Sequence, residues 1–267
     1  MCRLLAAHRG DTIRTCDFLL PKQALYQAEL RPVRDGNDSG APQTLSGSRL
    51  YLSEMSHTQP TILHRTEQWL VLGKPAGWHT VSGQSDEPDM ESWLRVKIPA
   101  CSELEEAGLV HRLDLPTSGC LLAATDEIIR QTLRDAMSGR GNTRIEKQYV
   151  ARCAAGLPQQ GAFELYFTKR HRGSRKMTVS KHGAERTLGK CTWNVLSRSG
   201  KGDLVELELL GPGRRHMLRA GMAFLGHPLV GDTLYGGSTT NDSPLLHARR
   251  LIISGLAVES PAPPWAL

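Results

Sequence analysis

At 267 residues and 39% hydrophobic content, the chain can bury either one large core or two small ones. A formal charge of +6 favours a polyanionic partner. No apolar run approaches the roughly 18 residues that a membrane span needs, and the start has no apolar signal core. The six cysteines, at 2, 16, 101, 120, 153 and 191, form no Cys-x-x-Cys pair. Buried free thiols in a reducing cytoplasm therefore fit better than disulfides or a zinc site.

In chain order, residues 1–54 stand apart. Asp35 to Ser48 is rich in Gly, Asp, Ser, Asn and Pro, and no periodic apolar face anchors a domain there. Gly10 to Pro32 resembles the peptide obtained by reading through a transfer-RNA gene. The expectation is an extension without function and a true start at Met55, with residues 55–267 as the working domain; the alternative is a disordered basic arm.

From Ile62 the patterns become regular. Trp69 to Leu72 predicts a strand that stops at the turn Lys74-Pro75-Ala76-Gly77. Gly119 to Thr125 predicts a second, buried strand. Asp126 then caps a helix with Ile129, Leu133 and Ala136 on one face, ending near Gly139. Strands follow at Gln148–Cys153, Ala162–Phe167, Cys191–Leu196 and Val205–Leu209. A helix from about Arg214 to Leu225 closes at Gly226, and Leu245 to Ile253 supplies a late strand. Between Lys169 and Lys190 stand Arg170, Arg172, Arg175, Lys176, Lys181 and Arg186, opposed only by Glu185, which reads as a phosphate-contacting segment.

Five blocks then stand out together. They are Lys74 to Gly77; His111-Arg112-Leu113-Asp114 running to Gly119; Glu146 to Ala151; Gly213 to Arg219, continuing through Gly226 to Gly236; and Leu245 to Ala248. In order and spacing, over roughly residues 62–264, the chain resembles the pseudouridine synthases of the RluA type. The resemblance implies an α+β pseudouridine synthase fold, with a mixed, mainly antiparallel central sheet, flanking helices and an RNA-binding cleft. It also implies a cofactor-free, metal-free enzyme that isomerises uridine in ribosomal or transfer RNA. On that template Asp114 is the catalytic aspartate, Tyr149 the tyrosine packing on the target base, and Arg219 the arginine pairing with the aspartate. Arg112 would hold the place vacated by the extruded nucleotide. Lys74, His111, Arg214 and His216 in the same blocks, with Lys169, Arg170 and Arg172 on the rim, complete the expected RNA-contacting set.

The chemistry gives these residue types their reasons. An aspartate that acts on ribose must be ionised where water is excluded, and a nearby guanidinium favours that form. Extruding a stacked uridine costs a few kcal/mol, which an aromatic platform and a space-filling side chain offset. Read alone, the histidines 111, 216, 227 and 247 are structural, and Asp114 is a turn cap; only the joint presence of the blocks reverses the second reading. Met217 stands where the family usually has glutamine, Ala220-Gly221 where it has valine-histidine, and Trp78-His79-Thr80 departs after the Lys74 turn. Met217 and Ala220-Gly221 motivate the competing expectation of an RNA-binding protein of the same fold with impaired catalysis, and Trp78-His79-Thr80 implies different loop packing. A Ser118, His111, Asp114 hydrolase is set aside because triad members converge from separate segments. A monomer is expected.

Overall fold

The computed structural model describes residues 59–83, 87–241 and 243–267. The expected extension 1–54 and start at Met55 lie outside the described residues. In chain order the elements are β1 (Thr61–Arg65), β2 (Trp69–Lys74), α1 (Met90–Lys97), β3 (Ser118–Ala124), α2 (Glu127–Met137), β4 (Ile145–Cys153), β5 (Gln160–Lys169), β6 (Met177–Ser180), β7 (Leu188–Ser199), β8 (Gly202–Leu210), α3 (Met217–Phe224), β9 (Leu246–Ile253) and β10 (Leu256–Glu259). The strands join in one sheet in the order β1-β2-β3-β9-β4-β8-β7-β5-β6, with β10 also on β9. Among the described residues, all strand pairings are antiparallel except β3 with β9, so the sheet is mixed and mainly antiparallel, as expected.

The two halves of the sheet are buried differently, and the sequence shows it. Strands β2 and β3 are covered on both faces, which is why they read as unbroken apolar runs. Leu70, Leu72, Leu121 and Ala123 share a core with Met90 and Leu94 of α1. Trp69, Val71, Cys120 and Leu122 meet Leu133 and Met137 of α2 on the opposite face. In β5, β7 and β8 apolar and polar residues alternate instead, and the inner row of Phe163, Leu165, Phe167, Cys191, Trp193 and Leu207 packs with Met217, Leu218 and Met222 of α3. Asp126 caps α2 as expected, accepting from the Ile129 amide.

The parallel contact of β3 with β9 is short, joining Ser118 to His247 and Gly119 to Ala248. Gly119 has φ of 110°, and a Cβ there would lie 2.2 Å from the Ala248 carbonyl oxygen, so only glycine allows this approach. Beyond it, β10 takes over the same edge of β9 through the tight turn at Ser254-Gly255.

Five elements differ from expectation. The sequence pattern does not announce helix α1, with Asp89 accepting from the Ser92 amide, or the short strands β1, β6 and β10. Each spans at most eight residues, too few for a clear period. Helix α3 begins at Met217 rather than Arg214. The three preceding residues are held by contacts outside the helix: Arg214 donates to the Leu188 carbonyl, Arg215 to those of Ser174 and Arg175, and His216 adopts φ of 52°.

Candidate active site

Asp114 lies on the segment entering β3, the third strand from the β1 edge of the sheet. The turn that follows uses its backbone carbonyl, which accepts from the Thr117 amide at 2.9 Å. Two neighbouring segments brace this turn. Thr80 donates its hydroxyl to the Leu113 carbonyl at 2.7 Å and accepts from the Leu113 amide at 3.1 Å. Lys74 Nζ donates to the Pro75 and Leu115 carbonyls at 2.9 and 3.2 Å, and the Gly77 amide also reaches Leu115. The departure at Trp78-His79-Thr80 is thus packed into the fold, with Trp78 in the core.

The Asp114 carboxylate faces α3. Arg219 Nη1 donates to Asp114 Oδ2 at 3.3 Å, and His216 Nε2 lies 3.8 Å from Oδ1. Arg219 holds a second carboxylate more tightly: its Nε and Nη2 form a fork on Asp232 at 2.7 and 2.8 Å. Burial opposes the Arg219 charge, but the Asp232 fork, with Asp114 behind it, more than compensates and raises its pKa. Tyr149 projects from β4 into the same pocket, which Arg112, Leu113, Thr117, Leu209, Arg214, Met217, Leu218 and Leu246 also line. Opposite Tyr149, β9 carries a bulge in which Ala248 and Arg249 face the single residue. Burial, and then the negative charge of Asp114, push the Tyr149 phenol well above its ordinary value, so it keeps its proton.

The expected site residues therefore fall into three places. Asp114, Arg112, Tyr149, Arg214 and His216 line one pocket, and Arg219 reaches its carboxylate. Lys74 lies beneath, buried under the Asp114 turn, and His111 faces away from the pocket, its Nε2 accepting from the Leu122 amide of β3. Burial, followed by the charge of Lys147, lowers His111 to about 4, so it serves the fold as a neutral ring. Lys169, Arg170 and Arg172 are exposed on the β5–β6 hairpin, where Arg170 joins His171, Arg175 and Lys176 around a separate groove that Leu234 closes. The basic segment is not a plain loop: it contains β6 and the start of β7.

Two contributors escaped sequence reasoning. Asp232 and Tyr235 lie in the Gly231 to Gly236 block, whose glycines predict turns and whose polar members carry no periodic signal. Tyr235 places its ring 5.5 Å from the Arg219 guanidinium carbon and its hydroxyl 2.9 Å from His216 Nδ1. The departures at Met217 and Gly221 also find their reason. Met217 packs over Gly189, and a Cβ on Gly221 would lie 2.6 Å from the Phe163 ring, so the helix sits low on the sheet. Among the described residues no group of three or more His, Cys, Asp or Glu is placed to hold a metal, and no helix is long and apolar enough to cross a membrane.

Residues 68–224 match the family model described as RNA pseudouridylate synthase. A Xylella fastidiosa protein named ribosomal large subunit pseudouridine synthase D is 33% identical over 234 residues, 86% of this chain and 64% of that one. A Xanthomonas campestris protein of the same name is 29% identical over 216 residues, covering 76% and 63%. The chain thus spans somewhat less than two thirds of these relatives. Among solved structures, human RNA pseudouridylate synthase domain containing 4 superimposes with a TM-score of 0.60 at 23% identity, covering 77% of this chain and 89% of that one. Human RNA pseudouridylate synthase domain containing 1 gives 0.59 at 24%, covering 78% and 84%. Both likenesses bear on the fold, and they agree with the α+β reading.

Proposed function

This chain belongs to the RNA pseudouridylate synthase family, and from that premise we propose that it isomerises uridine to pseudouridine in ribosomal RNA. The observation that carries the reading is the Asp114 carboxylate in a pocket with Tyr149, held by an arginine that is itself locked on Asp232. The RNA class follows the names of the similar bacterial proteins. Transfer RNA is the alternative substrate.

In this mechanism the target uridine leaves its stack and enters the pocket over Tyr149, while exposed Arg112 at the mouth fills the gap it leaves. Ionised Asp114 acts on the ribose and the N1–C1′ bond breaks. The base turns, C5 bonds to C1′, the C5 proton departs and N1 acquires one, so product and substrate have the same composition. Arg219 holds the Asp114 carboxylate by one oxygen, and Tyr149, which retains its proton, offers the base a flat apolar face with a donor at its edge. The exposed cations Lys169, Arg170 and Arg172 approach flanking phosphates. The protein works as a monomer in the cytoplasm, a setting that the buried free thiols of Cys101, Cys120, Cys153 and Cys191 suit.

Purified protein incubated with ribosomal RNA from a strain lacking the gene should form pseudouridine, read by carbodiimide primer extension. Asp114→Asn should bind the same RNA and form none. Full activity in that variant would sink the assignment, and RNA binding without turnover in the wild type would favour the binding-protein reading.

A further inference from the structure

Tyr235 touches both partners of the Asp114 carboxylate. Its ring lies under the Arg219 guanidinium at 5.5 Å, and its hydroxyl meets His216 Nδ1 at 2.9 Å, with the two rings edge to face. The hydroxyl oxygen also accepts from the Met177 amide at 2.8 Å. An amide can only donate, so that bond uses one lone pair of the oxygen and leaves the hydroxyl hydrogen available to His216 Nδ1. When the hydroxyl donates to Nδ1, His216 carries its own hydrogen on Nε2, the atom 3.8 Å from Asp114 Oδ1. The His216 backbone is held in the left-handed region with φ of 52°, and its ring does not cap α3. This is strain retained at a residue whose ring is aimed at the site.

We propose that Tyr235 and His216 form a positioning pair that sets the rotation of the Asp114 carboxylate. The torsion about the Cβ–Cγ bond of an aspartate is soft, and one contact leaves it free to swing. Arg219 engages Oδ2, and the Nε2–H of His216 faces Oδ1 at a separation that closes with a small rotation when substrate fills the pocket. Tyr235 fixes which His216 nitrogen carries the hydrogen and braces Arg219 at the same time. The inference rests on the pseudouridine synthase reading for its kinetic consequence, but its structural content stands apart.

Two measurements test it. In the ¹⁵N-labelled protein, imidazole nitrogen shifts should show the Nε2–H tautomer of His216 in the wild type and a mixed population in Tyr235→Phe; an Nδ1–H tautomer in the wild type overturns the proposal. In single-turnover reactions with ribosomal RNA from a strain lacking the gene, Tyr235→Phe keeps the ring under Arg219 and loses only the hydroxyl. Its rate should fall about tenfold, with RNA affinity unchanged, the scale of one hydrogen bond. Tyr235→Leu should fall further, and His216→Gln should retain more activity than His216→Ala. Because Tyr235 acts through His216, Tyr235→Phe should add no loss in a His216→Ala background; additive losses overturn the pairing. A wild type inactive on this RNA would count against the activity, and the nitrogen shifts would still decide the positioning claim.

Discussion

Asp232 holds Arg219 in a two-point fork at 2.7 and 2.8 Å, and both side chains are buried. The guanidinium plane is therefore set before Arg219 reaches Asp114 with its one remaining edge. Asp114 does not organise this arginine. A more deeply buried carboxylate does, and Asp114 meets a cation already in place.

Asp232→Asn should accordingly damage both stability and rate. It replaces one half of a buried ion pair and leaves an amide where two N–H groups point, a loss of up to about 3 kcal/mol. Urea denaturation should show the loss, and the single-turnover rate should drop at least about tenfold as Arg219 becomes free to turn. A variant with wild-type midpoint and rate would show that the fork is incidental.

Gly221→Ala presents opposing effects of different size. Alanine improves helix propensity by up to about 1 kcal/mol. Its methyl group would sit 2.6 Å from the Phe163 ring, however, and overpacking of this kind costs about 1–3 kcal/mol. The variant should be less stable than wild type. Adding Phe163→Leu, which shortens the opposing ring, should recover part of the loss. Stabilisation by the single change would contradict the close approach.

Lys74 should make stability depend on pH. Burial lowers it from 10.5 to about 7, with Asp114 pulling weakly the other way. Between those values the unfolded chain binds a proton that the folded chain lacks. Stability from this site therefore rises as pH goes from 7 to 10.5 and stays at its minimum below 7, with a slope of at most about 1.4 kcal/mol per pH unit. Denaturation of wild type and Lys74→Met across this range should show the difference between them changing with pH, and parallel curves would refute it.

The hairpin cations give a salt-dependence test. Replacing Lys169, Arg170 and Arg172 together with alanine should weaken RNA binding at low salt and flatten the slope of log affinity against log salt by about two. Fluorescence anisotropy with labelled ribosomal RNA fragments between about 50 and 200 mM salt measures it. An unchanged slope would mean that these side chains touch no phosphate.

Much of the frame was legible because burial imposes its period on composition. Trp69 to Leu72 and Gly119 to Thr125 read as strands because both faces are covered, and Val205, Leu207 and Leu209 because one is. The start of α3 was not legible: Arg214, Arg215 and His216 fit a helical pattern, but their bonds to Leu188, Ser174, Arg175 and Tyr235 come from strands and turns distant in sequence. His111 shows the same limit from the other side. Its place beside Arg112 suggested RNA contact, yet chain direction into β3 turns its ring onto the Leu122 amide.

The sequence by itself determined which residue types stand in which order, and with them the family, the strand and helix periods and the expected place of Asp114, Tyr149 and Arg219. Those follow from local spacing and from blocks that survive as strings. Only the tertiary structure decided how Arg219 divides its donors between Asp232 and Asp114, and that Tyr235 links Arg219 to His216. Arg219 lies 105 positions from Asp114, and hydrogen-bond geometry across such a separation is set by the packing of α3 on the sheet. No local pattern encodes it.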